Sequence, residues 1–263
     1  MPELPEVERY RQLAERAALG RHIVGVEASD AWYLKRGLTA EEVVSTLVGE
    51  TFVAARRRGK LMILDLAGDG SAVLGLRFGM SGRLVVDGAV GVDRLLHGRA
   101  APEHRYDRFR VDFADGGSLS MSDPRRLGGV ELDPDLSRMG PDALGLTVAE
   151  LRRALEGAQV ALKARLLDQS RIAGIGNLIA DEVLWRAGLS PLRPAGGLGA
   201  AAVRRLHLHL TSGLAELVAR GGSHTGDLMV ERRPGGLCPR DATPLRRATV
   251  GGRTTWWCPR HQK

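Results

Sequence analysis

Residues 1–6 read MPELPE, and this segment carries the strongest chemical prediction of the chain. Removal of Met1, which is favoured when the second residue is small, leaves the secondary amine of Pro2 beside the carboxylate of Glu3. An N-terminal amine has a pKa of about 8, so part of it is neutral near pH 7. A neutral amine can attack an electrophilic carbon and form a Schiff base. Glu3 can donate or accept protons beside this amine, and Glu6 can point toward the same place from the first turn of a helix.

The same residues also fit an ordinary helix start. Pro5 suits the first turn of a helix, and acids there complement the helix dipole. For PELPE in isolation this structural interpretation is the stronger one, and only the rest of the chain changes the balance. If Met1 is retained, the nitrogen of Pro2 is an amide and cannot attack.

Composition limits the possible classes of protein. The chain has 263 residues, 43% of them hydrophobic, which is enough for one large domain or for two ordinary domains and an appendage. No apolar run approaches the roughly 18 residues of a membrane helix, and no signal-peptide pattern opens the chain, so we expect a cytoplasmic protein without a membrane partner. A net charge of +7 favours a polyanionic partner, nucleic acid first, although it also fits ordinary solubility charge.

Hydrophobic periodicity predicts an α+β fold. Residues 5–19 have the spacing of an amphipathic helix. From about Ile23 to Phe113, the pattern changes to short β-rich segments. Seven or so of them, with turn signals between, predict an antiparallel sandwich or barrel, with one inserted helix at 38–48 capped by Thr39 and a loop at 88–105. Later segments have helical spacing; they are 147–157, 160–169, 177–187 and 199–220. Thr147 and Glu150 predict a capping box at the start of the first of these. The predicted domains are 1–132, 133–222 and a small appendage at 223–263.

Three glycine-containing turns place cations or an apolar residue at a tip. The segment RRRGK at 56–60 suits phosphate contacts or an exposed, solvated turn, and its Lys60 is one of only four lysines among the 38 basic residues. In GMSG at 79–82, Met80 is either a core methionine or a wedge between bases. The third turn, DPRRLGG at 123–129, again has cations beside one apolar residue, a leucine.

The segment 163–190 predicts two helices joined by a tight turn. Gly174 and Gly176 precede a helix that opens at Asn177, and glycines at such a place let backbone N–H groups approach a phosphate. Asn177 at the cap can bind the backbone or a ligand. The shape alone also occurs in folds that never touch DNA.

The C-terminal segment contains two pairs of possible zinc ligands. Cys238 and Asp241 are followed, after sixteen intervening residues, by Cys258 and His261. Two pairs with two-residue spacing match a structural zinc site. The alternative is that Asp241 is a turn residue and the site is weak or empty. Arg253 lies on the expected hairpin between the pairs, where it can reach a groove or a phosphate.

Taken in order, MPELPEVE, RRRGK, GMSG, DPRRLGG, the segment 163–190 and the terminal pairs resemble the formamidopyrimidine-DNA glycosylase and endonuclease VIII family over nearly the whole chain. The resemblance implies an N-terminal β-sandwich with flanking helices, a helix–two-turn–helix domain and a C-terminal β-hairpin zinc finger. It implies a monomeric DNA glycosylase and AP lyase that holds a structural Zn²⁺ and acts on duplex DNA with damaged bases or abasic sites. The enzyme would remove oxidised or ring-opened bases and nick the strand by β,δ-elimination.

The resemblance also implies a role for each residue that matches a motif. Pro2 would be the nucleophile that attacks C1′, Glu3 the acid and base, Glu6 its support, and Lys60 a DNA contact that assists strand cleavage. The gap left by the flipped nucleotide would be filled by Met80, Arg126 and Leu127. Phosphates would be bound by Lys163, Asn177 and Arg253. Further DNA contacts would come from Arg77 and Arg108, at positions where 8-oxoguanine-type enzymes usually have histidine.

Departures from the family pattern concern the substrate more than the class. Leu127 stands where 8-oxoguanine-type enzymes carry phenylalanine, and the finger is Cys-Asp-Cys-His instead of four cysteines. Only fifteen residues separate Gly222 from Cys238, a segment that in those enzymes is longer and includes the loop that caps the flipped purine. We therefore expect weak activity on 8-oxoguanine and better activity on ring-opened purines, hydantoins or oxidised pyrimidines.

Two other classes of protein remain as alternatives. A catalytically idle damage-binding protein on the same fold predicts loss of Pro2, Glu3 or Lys60, and all three are present. A nucleic-acid scaffold that shares only the helix–two-turn–helix explains neither the first six residues nor the terminal pairs.

Overall fold

The computed structural model describes residues 2–68, 72–92 and 104–263. The chain divides into two compact units, Met1–Ser137 and Arg138–Lys263. The finer division into three domains stays a prediction. Met1 and most of the loop predicted at 88–105 lie outside the described residues. The structure therefore tests neither the removal of Met1 nor the prediction of this loop.

The first unit contains two antiparallel sheets. One has the strand order β1-β7-β8-β5-β6 and the other β2-β3-β4-β9. The strands are Ile23–Glu27 (β1), Phe52–Arg58 (β2), Leu61–Leu66 (β3), Val73–Arg77 (β4), Arg83–Val86 (β5), Ala89–Val90 (β6), Asp107–Phe113 (β7), Ser118–Ser122 (β8) and Gly129–Leu132 (β9).

Side chains from both sheets enter one hydrophobic core, which confirms the α+β prediction and its sandwich. The seven predicted strand segments are present. The structure adds β6 and β9, which sequence patterns missed because each is short and follows a glycine-rich or polar turn. The addition of β9 matters for the site, because this strand continues directly from DPRRLGG and pairs with β4.

Two helices flank this sandwich. The first, α1 (Leu4–Ala17), buries Val7, Tyr10 and Leu13 at the predicted helical spacing. The second, α2 (Ala40–Leu47), begins at the predicted cap, where Thr39 and Glu42 form a capping box.

The second unit is mainly helical and ends in a hairpin. Glu150 and Thr147 form the predicted capping box at the start of its first helix. None of the helices in the described part of the chain is long and apolar enough to span a membrane. The elements are α3 (Val148–Leu155), α4 (Leu162–Leu167), α5 (Asn177–Ala187), α6 (Ala200–Arg220), β10 (Arg246–Val250) and β11 (Arg253–Trp257).

Candidate active site and metal cluster

The N-terminal residues place two carboxylates at the start of α1. Glu3 is the N-cap residue, and its backbone N–H donates to Oε2 of Glu6 at 2.9 Å. Both side chains are buried, with exposed fractions of 0% and 2%. The positive end of the helix dipole stabilises negative charge at this position. The segment therefore holds two acids beside Pro2, and it also forms the ordinary helix start that the sequence allowed.

The RRRGK segment is a hairpin whose tip is the two-residue turn Gly59-Lys60, with Gly59 at a φ of +58°. Arg57 pairs with Glu8 of α1 at 2.9 Å and is only 5% exposed. This ion pair fixes the hairpin, and with it Lys60, to the helix that carries Glu3. Arg56 pairs with Asp65 across the strands at 2.5 Å. Two of the three arginines thus have acidic partners within the protein, although the Arg56 side chain is 52% exposed, and phosphate contacts by this tip stay a prediction.

The GMSG and DPRRLGG turns, predicted separately, form one tip. Ser81 Oγ donates to Oδ1 of Asp123 at 2.5 Å, and Oδ2 of that carboxylate accepts from Gly128 N at 2.8 Å. A Cβ at Gly79 would lie 2.3 Å from the backbone carbon of Leu127, so only glycine permits this approach. Met80 is half-buried and Leu127 is 50% exposed.

The same tip is connected to α1. The ring of Tyr10 packs on Phe78 with centroids 4.5 Å apart, and its hydroxyl donates to Gly82 O at 3.4 Å. Burial and the nearby Glu6 raise the pKa of Tyr10 well above its usual value, so the phenol stays protonated as a donor. A chain of contacts thus runs from the N-terminal helix to both turns.

Partners within the protein, two carboxylates and one backbone carbonyl, bind the predicted DNA-contacting arginines of this unit. Arg77 Nε lies 2.6 Å from Oε1 of Glu131, and Arg108 Nε donates to Asp123 O at 3.0 Å. Arg126 forms a two-point ion pair with Asp30. Each of these three cations therefore has a partner within the first unit.

Lys163 differs from its prediction. Its side chain has no exposed surface, and Nζ lies 2.7 Å from Oδ1 of Asp181. Nζ also donates to Thr255 Oγ1 at 2.8 Å and to Thr254 O at 3.1 Å. Nζ is enclosed and bonded within the protein, so this structure gives no support to the predicted phosphate contact. Lys163 instead links β11 to α5, and these three contacts match the three N–H donors of its compact amine.

The start of α5 also requires a correction. The N-cap is Gly176, whose φ of −115° and ψ of −170° are extended, and Asn177 is the first helical residue. Within the described residues, the buried Oδ1 of Asn177 has no hydrogen-bond partner. Arg253 is exposed at the first position of β11, next to the turn Gly251-Gly252. Of the residues predicted to grip phosphates, Arg253 is therefore the most accessible.

The four predicted metal ligands meet in one cluster, with ligand atoms within 4.8 Å of one another. Cys238 Sγ lies 3.6 Å from His261 Nδ1, and Cys258 Sγ lies 3.5 Å from Asp241 Oδ1. Tetrahedral zinc bonds of about 2.0–2.3 Å separate ligand atoms by about 3.3–3.8 Å, so the donors fit such an ion.

Hydrogen bonds around the cluster orient its ligands. His261 Nε2 lies 3.2 Å from Trp185 O, an arrangement that leaves Nδ1 for a metal. Trp185 Nε1 donates to Cys238 Sγ at 3.4 Å. The backbone N–H of Thr243 donates to Oδ1 of Asp241 at 3.0 Å and holds the pKa of that carboxyl well below its usual value. Asp241 is thus ionised, as a metal ligand must be, and it also forms the turn.

Sequence patterns missed the buried acids that organise these sites. Glu8 anchors the lysine hairpin, Asp123 joins the two turns, and Asp181 holds both Lys163 and Arg232. Only Asp123 had a local signal, because it opens the turn DPRR, where aspartate bonds to the backbone two residues on.

Family models match both units of the chain. The model for the formamidopyrimidine-DNA glycosylase N-terminal domain matches residues 1–130, and the model for the H2TH domain of that enzyme matches residues 139–228. The chain belongs to the formamidopyrimidine-DNA glycosylase family. Similar proteins named formamidopyrimidine-DNA glycosylase include one from Alkalilimnicola ehrlichii, 32% identical with all of both chains covered, and one from Salinispora arenicola, 35% identical with 100% of this chain and 96% of the relative covered.

Solved structures of the family have the same fold. The Lactococcus lactis Fpg in complex with abasic-site DNA is 27% identical, has a TM-score of 0.83 and matches over 99% of both chains. The same bacterium's wild-type Fpg with DNA containing N7-benzyl-Fapy-dG is 28% identical, has a TM-score of 0.83 and matches over 100% of both chains. These similarities support the predicted family and its α+β architecture.

Proposed function

We propose that this family member is a bifunctional DNA glycosylase and AP lyase of base excision repair, which removes oxidised or ring-opened bases. The observation that carries the proposal is the group at the start of α1, where Glu3 and Glu6 lie beside Pro2 and the Arg57–Glu8 ion pair fixes the Lys60 hairpin to the same helix. The enzyme would work on chromosomal DNA, in the cytoplasm of a bacterium.

The proposed reaction begins with the amine of Pro2, once Met1 is removed. Because C1′ cannot be attacked inside the base stack, the damaged nucleotide must first be extruded. The amine bonds to C1′ and the damaged base leaves with a proton supplied by the site. The sugar ring opens to an iminium, and loss of a C2′ proton expels the 3′ phosphate; a further elimination expels the 5′ phosphate. Glu3 moves these protons and Lys60 assists from the hairpin.

The remaining proposed contacts follow from where each side chain lies. Met80, Arg126 and Leu127 on the joined tip would enter the gap left by the extruded nucleotide. Arg77 and Arg108 would contact the DNA beside that tip. In the second unit, Asn177 and Arg253 would bind phosphates of the DNA. Cys238, Asp241, Cys258 and His261 would hold a structural zinc that folds the appendage at 223–263.

A borohydride trap tests the proposed function. Mixed with duplex DNA that contains an abasic site and with borohydride, the enzyme should form a covalent adduct through reduction of the iminium. Mass spectrometry of the intact protein should locate the attached sugar at the N-terminus. A catalytically idle damage-binding protein would bind the same duplex and give no adduct, which would refute the proposal in favour of that alternative.

We also propose a lesion preference that disfavours 8-oxoguanine. Support comes from the segment between Gly222 and Cys238, whose centre is tied to α5. Both carboxylate oxygens of Glu182 accept backbone N–H groups, from Asp227 at 3.1 Å and from Leu228 at 2.9 Å. Arg232 pairs with Asp181 at 2.9 Å. Because these contacts bind residues 227, 228 and 232 to α5, few residues of the segment remain for a loop that covers a purine.

Rates on matched duplexes check this preference. Excision of a hydantoin or of thymine glycol should be about tenfold or more faster than excision of 8-oxoguanine opposite cytosine, the range that pocket contacts supply. An abasic duplex of the same sequence serves as the control for the lyase step. Equal rates on 8-oxoguanine and the hydantoin would refute the preference and leave the glycosylase assignment intact.

A further inference from the structure

Glu131 is a buried acid that two arginines of the first unit share. Its Oε1 lies 2.6 Å from Nε of Arg77, and its Oε2 lies 2.8 Å from Nε of Arg36. The Glu131 side chain is 2% exposed, whereas the side chains of Arg36 and Arg77 are 53% and 41% exposed. The carboxylate is therefore enclosed, while both of its cations reach the solvent.

The sheet explains why Glu131 and Arg77 meet. Leu76 of β4 and Val130 of β9 enter the hydrophobic core. Because successive side chains of a strand alternate, Arg77 and Glu131 point to the opposite face of the sheet. Glu131 pairs in register with Gly75, and a Cβ at Gly75 would lie 3.1 Å from Cγ of the acid. The glycine thus leaves room for the carboxylate beside Arg77.

Arg36 reaches the same acid from a loop that runs beside β9. Leu34 forms a parallel bridge with Val130, and Lys35 N donates to Val130 O at 2.8 Å. Arg36 then adopts a φ of +59°, in the left-handed region that is unfavourable for residues other than glycine. Such a conformation persists where its surroundings hold it. Here the bonds between the loop and β9, together with the ion pair to Glu131, hold it.

The charges of this group decide what it can bind. One arginine paired with one carboxylate has no net charge, so Arg77 and Glu131 alone offer little attraction to a phosphate. Arg36 raises the sum to one positive charge. In both ion pairs the closest nitrogen is Nε, which leaves the Nη donors of each guanidinium for another acceptor. Two donor groups held near each other by one acid fit a phosphate, which accepts on several oxygens.

We infer that Arg36 is a further DNA-binding residue, which binds one backbone phosphate together with Arg77 and supplies the positive charge that Glu131 would otherwise cancel. The inference rests on the proposed function, in which Arg77 contacts DNA. Glu131 is then a positioning residue, because it holds two guanidinium groups near each other that their like charges would otherwise separate. A phosphate contact reads no sequence, so it should serve damaged and intact duplexes alike.

The salt dependence of DNA binding measures this charge. Dissociation constants are determined over a series of salt concentrations, on an intact duplex and on the same duplex with a tetrahydrofuran abasic analogue. Each neutralised phosphate contributes about 0.9 to the slope of log affinity against log salt. Arg36→Gln should reduce the slope by about that amount on both duplexes, since Glu131 then cancels the charge of Arg77. Arg36→Lys keeps the charge and should keep the wild-type slope.

Removal of the acid together with Arg36 separates shared charge from simple contact. In the double variant Arg36→Gln/Glu131→Gln, Arg77 carries the remaining charge of the group, and the slope should return to the wild-type value. If Arg36 only made a contact of its own, the double variant would keep the reduced slope. Because Arg36 is on the surface, its single variants test the inference even if the double variant does not fold.

Arg110→Gln is the matched control. Arg110 also pairs through Nε with a carboxylate, that of Asp112 at 2.7 Å, and its side chain is 29% exposed. It points away from the core on the other sheet, because its neighbours Phe109 and Val111 enter the core. The substitution removes the same charge from the chain and should leave the slope unchanged.

Three results would overturn the inference. They are an unchanged slope in Arg36→Gln, a slope that stays reduced in the double variant, and an equal loss in Arg110→Gln, which would make the effect one of net charge. Borohydride trapping of the wild type separates this failure from failure of the proposed function. Trapping needs the amine of Pro2, whereas the slope on intact duplex needs no catalysis.

Discussion

Pro2→Gly should lower borohydride trapping on abasic-site DNA by about 100-fold or more, because loss of the ring leaves a mobile primary amine no longer held in an attacking geometry. Glycine is small enough to allow removal of Met1, so the variant still presents a free amine. The loss therefore measures the position and type of the nucleophile. Duplex binding should remain, since the DNA contacts proposed for both units are unchanged.

Pro5→Ala is the matched control for Pro2→Gly. Pro5 is also a buried proline of the first segment, in the first turn of α1, but its nitrogen is never a free amine. Its replacement should reduce trapping only as far as it loosens the helix start. A wild-type chain with a blocked N-terminus gives the complementary result, which is normal DNA binding without an adduct. If the adduct persists in Pro2→Gly or in the chain with a blocked N-terminus, the nucleophile is another residue.

Sequence patterns predicted the features of this molecule that depend on near neighbours. The capping box of Thr147 and Glu150 joins residues three positions apart, and α5 has the predicted bounds Asn177–Ala187. The metal ligands were predicted because each pair is closely spaced and the ligand types are few. In such cases the local chain sets the structure, and tertiary contacts only complete it.

Long-range ion pairs could not be predicted in this way. Asp30 and Arg126 are 96 positions apart, and Glu8 and Arg57 are 49 apart. With 38 basic and 31 acidic residues, the sequence allows very many such pairs, and only the fold selects among them. Lys163 illustrates the consequence: its rarity as a lysine marked a special position, but only the fold identified its partner as Asp181 instead of a phosphate.

The cluster of Cys238, Asp241, Cys258 and His261 should decide whether the C-terminal hairpin folds. Structural zinc contributes about 10–16 kcal/mol to the folding of small metal-bound domains at pH 7, which matches or exceeds the roughly 5–15 kcal/mol that stabilises a typical domain. Cys258→Ala removes one ligand and leaves an incomplete site. We expect it to lose stoichiometric zinc and to bind duplex DNA far more weakly, because the hairpin that presents Arg253 loses its support.

Tryptophan fluorescence offers a direct measurement of this loss. Trp185 packs against Cys238, Cys258 and Leu228 in a small core of the second unit, and Trp257 lies buried on β11. Removal of zinc by a chelator should expose these rings and shift their emission to the red. Trp32, in the first unit, is already 67% exposed, so it should contribute little to that shift.

Replacements of Asp241 give a graded test of the same site. Asp241→Cys supplies a thiolate in place of the carboxylate and should retain zinc, whereas Asp241→Ala should retain less zinc and lower the temperature at which the emission shifts. Metal analysis of each variant, together with duplex binding, gives the order of affinities. A wild-type protein that folds fully and binds DNA without zinc would refute the metal assignment, and the cluster would then be a hydrogen-bonded core in which the contact between Cys258 and Asp241 replaces coordination.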